Sequence, residues 1–251
     1  MTPLLRAVIL LAAGGLAGLV GTAGGITTLV AYPALIATGV PALAANVANI
    51  VAGTACWPGS ALVSGRELRY RGPWLLRHLP VAAIGGGVGA VLLLSTSPDI
   101  FKRIVPFLVV AGSCSLLLAP RLTRVDEAGK QMTPWAIDLA IFPISVYGGY
   151  FGAGSGVMLL ATMLIAVVTE LPAANALKNM LVGASVVLAA LLLIMFRHID
   201  WQATLPLAAG MLVGSMVGPS VARRLPPNVV RPAVAAIGFG LAIQLWLSHG
   251  S

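Results

Sequence analysis

The stretches GLVGTAGGI (residues 18–26) and GGYFGAGSGV (residues 148–157) decide how this chain folds. Each interrupts apolar sequence with a cluster of glycines and small residues, after which apolar sequence resumes. The two flanking stretches total about 36 residues, which as one straight helix would measure about 54 Å. The hydrocarbon core of a bilayer is about 30 Å thick. The chain must therefore turn back at the glycines, so each cluster is the bend of a helical hairpin, either fully spanning or re-entrant.

The two clusters belong to copies of one unit. Gly18, Gly21, Gly25 and Pro41 match Gly149, Gly152, Gly156 and Pro172 at a constant offset of 131. After a slip of one residue NIVAG (49–53) aligns with NMLVG (179–183), and Leu79 and Pro80 match Leu205 and Pro206. A fixed offset of this kind is the signature of an internal repeat. Punctuation in the hydropathy gives spans at 3–20, 25–38, 41–63, 73–95 and 101–119. A polar linker, RLTRVDEAGKQM, occupies 121–132, and further spans follow at 134–151, 155–169, 172–196, 201–222 and 227–247. The expected units are a first transmembrane repeat over 1–120, the linker over 121–132 and a second repeat over 133–251. A hairpin returns to its starting face and three crossings follow it, so the second repeat is expected upside down relative to the first. The opening segment, with Arg6 before an apolar stretch, looks like a signal peptide. Its glycines have partners deep in the chain, so it is expected to be retained.

Composition agrees with a membrane setting. Of the 251 residues, 59% are hydrophobic and 9% charged, with a mean hydropathy of +0.98. A soluble protein carries about 25% charged residues. A cytosolic enzyme, a disordered chain and a disulfide-stapled secreted domain are excluded. The expected class is an all-α polytopic membrane protein of two inverted-topology repeats, each a glycine-broken hairpin plus three transmembrane helices. The net charge of +8 reads as topology signals in short loops rather than as a nucleic-acid surface. Arg66, Arg69, Arg71, Arg77, Arg121, Arg124, Lys130, Arg223, Arg224 and Arg231 fall on one face, against Arg6, Lys102, Arg103 and Arg197 on the other. That bias places the linker in the cytoplasm and both termini outside. Cys56 and Cys114 lie in apolar segments without metal-like spacing, so they are expected to pack as small hydrophobes. No metal or cofactor is expected.

Chemistry is expected at the bends. Where a helix restarts, its first N–H groups lack intrahelical partners and carry the positive end of the helix dipole, which suits an anion. Gly21, Thr22, Gly24 and Gly25 form one such turn, and Gly152, Gly154, Ser155 and Gly156 the other, with Thr22 and Ser155 adding hydroxyl donors. The alternative is that these glycines serve only helix packing. The helices that follow carry Asn46, Asn49, Asn175, Lys178 and Asn179 in apolar sequence. A lysine inside the membrane costs about 2.5–3.5 kcal/mol on insertion scales, which makes it a site candidate whose sign favours an anion; snorkelling or structural glue is the alternative. Asp138 is the one carboxylate well inside an expected crossing. It is a candidate for proton coupling or for pairing with Lys178, or else a helix-end group facing lipid headgroups. His78 and His198, beside Arg77 and Arg197, are expected to anchor at the interface. Ser155 has no histidine placed mid-helix to activate it, and no HExxH, Walker or dinucleotide fingerprint is present, so an enzyme is not expected.

The repeated openings, GxxGxxGG at 18–25 and GxxGAGSG at 149–156, with an Asn-bearing helix after each, resemble the sulfite exporter TauE/SafE family of membrane permeases. The resemblance runs through both repeats. It implies a multi-pass inner-membrane carrier exporting a small anion, typically sulfite or an organosulfonate. Thr22 and Ala23 stand where many relatives are richer in glycine. The expected partners are a small anionic solute, membrane lipid and, in a homodimer, a second copy, with no nucleic acid. The competing readings are a channel or scaffold whose glycines only pack helices, and a carrier of a cation or neutral solute using Asp138.

Overall fold

The computed structural model describes residues 2–122 and 133–222. Every regular element among them is helical: α1 (Pro3–Gly24), α2 (Thr27–Ala37), α3 (Ala42–Gly53), α4 (Cys56–Val63), α5 (Gly65–Leu68), α6 (Gly72–Leu94), α7 (Pro98–Leu122), α8 (Pro134–Tyr150), α9 (Ser155–Ala166), α10 (Leu171–Phe196) and α11 (Trp201–Ala222). The expected span at 227–247 and residues 123–132 of the linker lie outside the described residues. Among the described helices α1, α6, α10 and α11 are long and apolar enough to cross a membrane. Their outer faces expose large apolar side chains such as Ile84 and Val91 on α6 and Leu191 and Met195 on α10. Such a surface suits lipid, since the helix satisfies its own backbone and asks nothing of the solvent.

Both glycine clusters break the helix. α1 ends at Gly24, and Gly25 adopts φ 81° while its N–H bonds back to the Gly21 carbonyl, a left-handed cap that disfavours a side chain. α8 ends at Tyr150, and the turn to α9 runs through Gly152 and Gly154 at φ 82° and 79°. The returning arms are short. α2 has 11 residues and α9 has 12, about 16 and 18 Å of helix, roughly half of the hydrocarbon thickness. Of the two hairpin forms left open by the sequence, the lengths match the re-entrant one.

The expected single crossing over 41–63 is corrected, because the chain breaks between α3 and α4. Thr54, Ala55 and Trp57 bond three residues back rather than four, to Val51, Ala52 and Thr54. Pro58 has no N–H to offer the Thr54 carbonyl, and the chain tightens there. The aligned stretch of the second repeat lacks a proline, and α10 runs unbroken over 26 residues.

Close glycine contacts set the helix directions. Gly14 lies against Leu207, Gly18 against Met211 and Gly214 against Gly15 and Leu19, so α1 and α11 advance together. Gly85 lies against Phe142 and Ser145, and Gly89 against Val146 and Tyr150, so α6 and α8 advance together as well. Gly86 lies against Ser185, and Arg197 reaches the Leu94 carbonyl at 3.0 Å, which aligns α6 with α10. A Cβ at Gly18 would sit 2.9 Å from the Met211 Cα, so only small residues let these backbones approach. The buried side of each bundle is apolar, with Leu10, Leu29, Leu35 and Phe101 in one cluster and Ile141, Met163, Leu177 and Leu181 in another.

Candidate functional site

The two bends meet. A Cβ on Gly25 would lie 2.5 Å from the Val157 nitrogen and 2.8 Å from the Gly156 Cα, and one on Gly156 would lie 2.6 Å from the Gly25 Cα. Residues matched by the 131-residue offset therefore touch backbone to backbone. Here the N-terminal ends of α2 and α9 border one cavity of about 70 Å³, together with the middle of α10 and the α3–α4 break. One water needs about 10–15 Å³ by this measure, so the space suits a few waters or a small oxyanion.

The second bend is held by its own side chains. The Tyr147 hydroxyl donates toward the Ala153 and Leu108 carbonyls at 2.7 and 3.1 Å. Phe151, 1% exposed, packs edge-on against Tyr32 with ring centres 5.3 Å apart. These contacts fix the direction in which α9 enters the cavity.

Nine of the candidate residues line the cavity: Gly21, Thr22, Gly25, Asn49, Gly152, Ser155, Gly156, Lys178 and Asn179. Gly24, Asn46, Gly154 and Asn175 stand behind it. Asn46 donates to the Tyr150 carbonyl at 2.8 Å and Asn175 to the Thr22 carbonyl at 2.9 Å. Lys178 is 1% exposed, which sets aside snorkelling, and its Nζ donates to the carbonyls of Gly21 at 3.1 Å and Thr22 at 3.4 Å. Neither carbonyl depends on the lysine. Gly21 also accepts the Gly25 N–H, and Thr22 also accepts the amides of Asn175 and Asn179. The ammonium has a third proton beyond the two bonds it makes.

The two hydroxyls do not project donors as expected. Thr22 Oγ1 donates to the Gly18 carbonyl at 2.7 Å and Ser155 Oγ to the Gly152 carbonyl at 2.9 Å. Their oxygens face the cavity as acceptors only, because a hydroxyl has one proton. Asn49 Nδ2 donates to Thr28 Oγ1 at 3.1 Å, leaving its buried Oδ1 without a partner among the described residues.

Asp138 is elsewhere. It bonds His78 across the α6–α8 contact and does not pair with Lys178. His78 itself is 1% exposed and packs at a tilt against Trp74 with ring centres 4.3 Å apart, so its ring faces protein rather than the lipid headgroups expected; His198 is exposed. Thr27, Thr28, Cys56, Trp57 and Gly183 also line the cavity. Cys56 thus borders the site rather than only packing as a small hydrophobe. The one sequence signal for this group is Pro58, which marks the break that turns α4 toward the cavity.

Comparison with known proteins points to membrane transporters. A Sinorhizobium protein described as a probable membrane transporter protein is 28% identical, the match covering 96% of both chains. A probable membrane transporter protein of Haemophilus influenzae is 26% identical over 96% of this chain and 95% of its own. The Escherichia coli probable membrane transporter protein YfcA is 24% identical over the whole of this chain and 93% of its own. No solved structure matches. The sequence profile of sulfite exporter TauE/SafE matches residues 7–245. This chain, a multi-pass membrane protein, therefore belongs to the sulfite exporter TauE/SafE family of membrane transporters.

Proposed function

We propose that the protein is an alternating-access carrier of two inverted repeats that exports a small oxyanion, such as sulfite or an organosulfonate, across the inner membrane. The observation that carries the reading is Lys178. Burying an amine in a membrane protein is costly, yet both carbonyls it touches already have other donors. A lysine that satisfies no orphaned group, at the edge of a cavity between two helix N-termini, is best accounted for by an anion that enters there.

Helix directions support the inversion. α1 runs with α11, and α8 with α6 and α10. α10 and α11 are long apolar helices joined only by residues 197–200, so as two crossings they run oppositely, which sets α1 against α8. In an inverted pair, matched residues touch only on the axis relating the copies, and that axis lies at mid-depth. The Gly25–Gly156 contact fits such an axis. The charge bias puts the linker in the cytoplasm and the termini outside. Lys178, the second amide protons of Asn49 and Asn179, the first N–H groups of α2 and the Gly156 N–H of α9 would hold the anion, while Ser155, Val157 and Met158 spend their N–H groups on the Gly152 and Gly154 carbonyls and Thr22 and Ser155 shape the turns. With an inside-negative potential, each negative charge gains about 2.3 kcal/mol per 100 mV on leaving, so export needs little further coupling.

The test is a binding screen of sulfite, sulfate, methanesulfonate and acetate on the purified protein, read as thermal stabilisation, followed by counterflow in vesicles. Stabilisation by the sulfur oxyanions that disappears in Lys178→Met is the expected result. Conduction without counterflow would make the protein a channel. Transport unaffected by Lys178→Met but abolished by Asp138→Asn would favour a cation or neutral solute.

A further inference from the structure

The ionisable residues outside the cavity include two pairs at corresponding places in the fold. Arg6 on α1 and Asp200, just before α11, form an ion pair at 2.7 Å. His78 near the start of α6 and Asp138 near the start of α8 form the other. The helices correspond as well: α1 matches α8 by the 131-residue offset, α6 matches α11 through Leu79–Pro80 and Leu205–Pro206, and each pair runs in parallel. Each parallel pair thus carries an ion pair near its N-terminal end. An arginine keeps its proton throughout the physiological range, whereas histidine is the side chain that exchanges one there.

We propose that His78 and Asp138 form a proton-binding site that couples the α6–α8 contact to transport, while Arg6–Asp200 is its permanently charged counterpart on the opposite face. The inference rests on the carrier reading for its consequence, not for the proton site itself. Asp138 is the more accessible member of the pair, its side chain 27% exposed against 1% for His78. With His78 neutral, its Nδ1–H donates to the carboxylate. A proton arriving from water adds at Nε2 and makes the contact a full ion pair, and the same proton leaves by the reverse step. α8 carries the change toward the cavity: Asp138 lies ten residues before Gly148, which lines it, about 15 Å along the helix.

Among the described residues few other charges face the pair. α9 has no ionisable residue, and on α10 the one such group is Lys178, tied to α1 carbonyls. α5 brings Arg66 and Glu67, while α6 itself carries Arg77, which is exposed.

The full chain labelled at its histidine rings, in detergent, is titrated from about pH 5 to 8 by NMR. One ring signal should titrate, vanish in His78→Gln, shift its titration in Asp138→Asn and stay unchanged in Asp200→Asn. A signal indifferent to Asp138→Asn, or the absence of a titrating signal that His78→Gln removes, overturns the proton site. Counterflow of methanesulfonate, whose charge is constant over this range, supplies the second readout. The wild-type rate should change about tenfold across the range, the effect of about 1.4 kcal/mol in one protonation step, and both variants of the pair should flatten it. A wild-type profile retained in His78→Gln overturns the coupling. A coupled histidine titration with no counterflow by any anion would leave the proton site standing and remove the carrier reading instead.

Discussion

Alanine placed at four glycines separates backbone strain from contact at the bends. Gly25 has both: φ is 81°, and a Cβ would lie 2.5 Å from the Val157 nitrogen. Gly39 has the left-handed φ of 86° with no atom within 4 Å of its would-be Cβ. Gly156 has the contact alone, 2.6 Å to the Gly25 Cα, and Gly24 has neither. Left-handed backbone costs a side-chain-bearing residue about 1–2 kcal/mol, and forcing a methyl into packed backbone about 1–3 kcal/mol. Gly25→Ala should then cost about 2–5 kcal/mol, Gly39→Ala about 1–2 and Gly156→Ala about 1–3, the last reduced by up to about 1 kcal/mol of helix propensity. Gly24→Ala should be neutral or gain up to about 1 kcal/mol. The assay is thermal unfolding of the detergent-solubilised protein, variants side by side. If Gly25→Ala were no worse than Gly39→Ala, the bends would not touch as described, and the shared cavity would lose its geometry.

Further substitutions probe the cavity and its surroundings. Lys178→Met should leave stability within about 1 kcal/mol of wild type, since no carbonyl loses its last donor and an apolar replacement of a buried charge is often tolerated. The same variant should lose thermal stabilisation by sulfite. Thr22→Val should leave that stabilisation intact, because the hydroxyl proton is held by the Gly18 carbonyl; a large loss of sulfite response would reassign Thr22 to the anion. Gly183→Ala should push the Trp57 indole, whose Nε1 is 2.8 Å from the would-be Cβ, into the cavity, and slow counterflow more than it lowers the unfolding temperature. Asp200→Asn should cost no more than about 1 kcal/mol, the usual ceiling for a part-exposed ion pair, provided the amide oxygen keeps the bond from the Ala203 N–H. Asp200→Ala, which removes this helix cap too, should lose about 0.5–2 kcal/mol more in the same melts.

The bends and the matched offsets were legible because they depend on local properties: a helix too long for a bilayer, and glycines where a turn needs them. The partners of the polar residues were not. Lys178 binds carbonyls 156 and 157 positions away, and only packing of α10 against the end of α1 selects them. His78 looked terminal beside Arg77, yet α6 begins at Gly72, and six residues of helix carry the ring inward to Asp138. The hydroxyls of Thr22 and Ser155 failed as expected donors for a local reason that spacing does contain: serine and threonine in a helix bond back to the carbonyl three or four residues earlier. The break at Thr54–Ala55 is written in Pro58, whose missing N–H frees the Thr54 carbonyl, but the aligned stretch around Gly183 reads as a plain helix and masks it. Where the copies diverge, the chemistry concentrates. The slip that aligns Asn49 with Asn179 sets Ala48 opposite Lys178, so one half brings the buried charge and the other brings the broken helix with Cys56 and Trp57. Two lysines at so small a cavity would repel each other strongly in a weakly screening interior. A single amine, shared among carbonyls that do not need it, is the arrangement that leaves room for one negative charge.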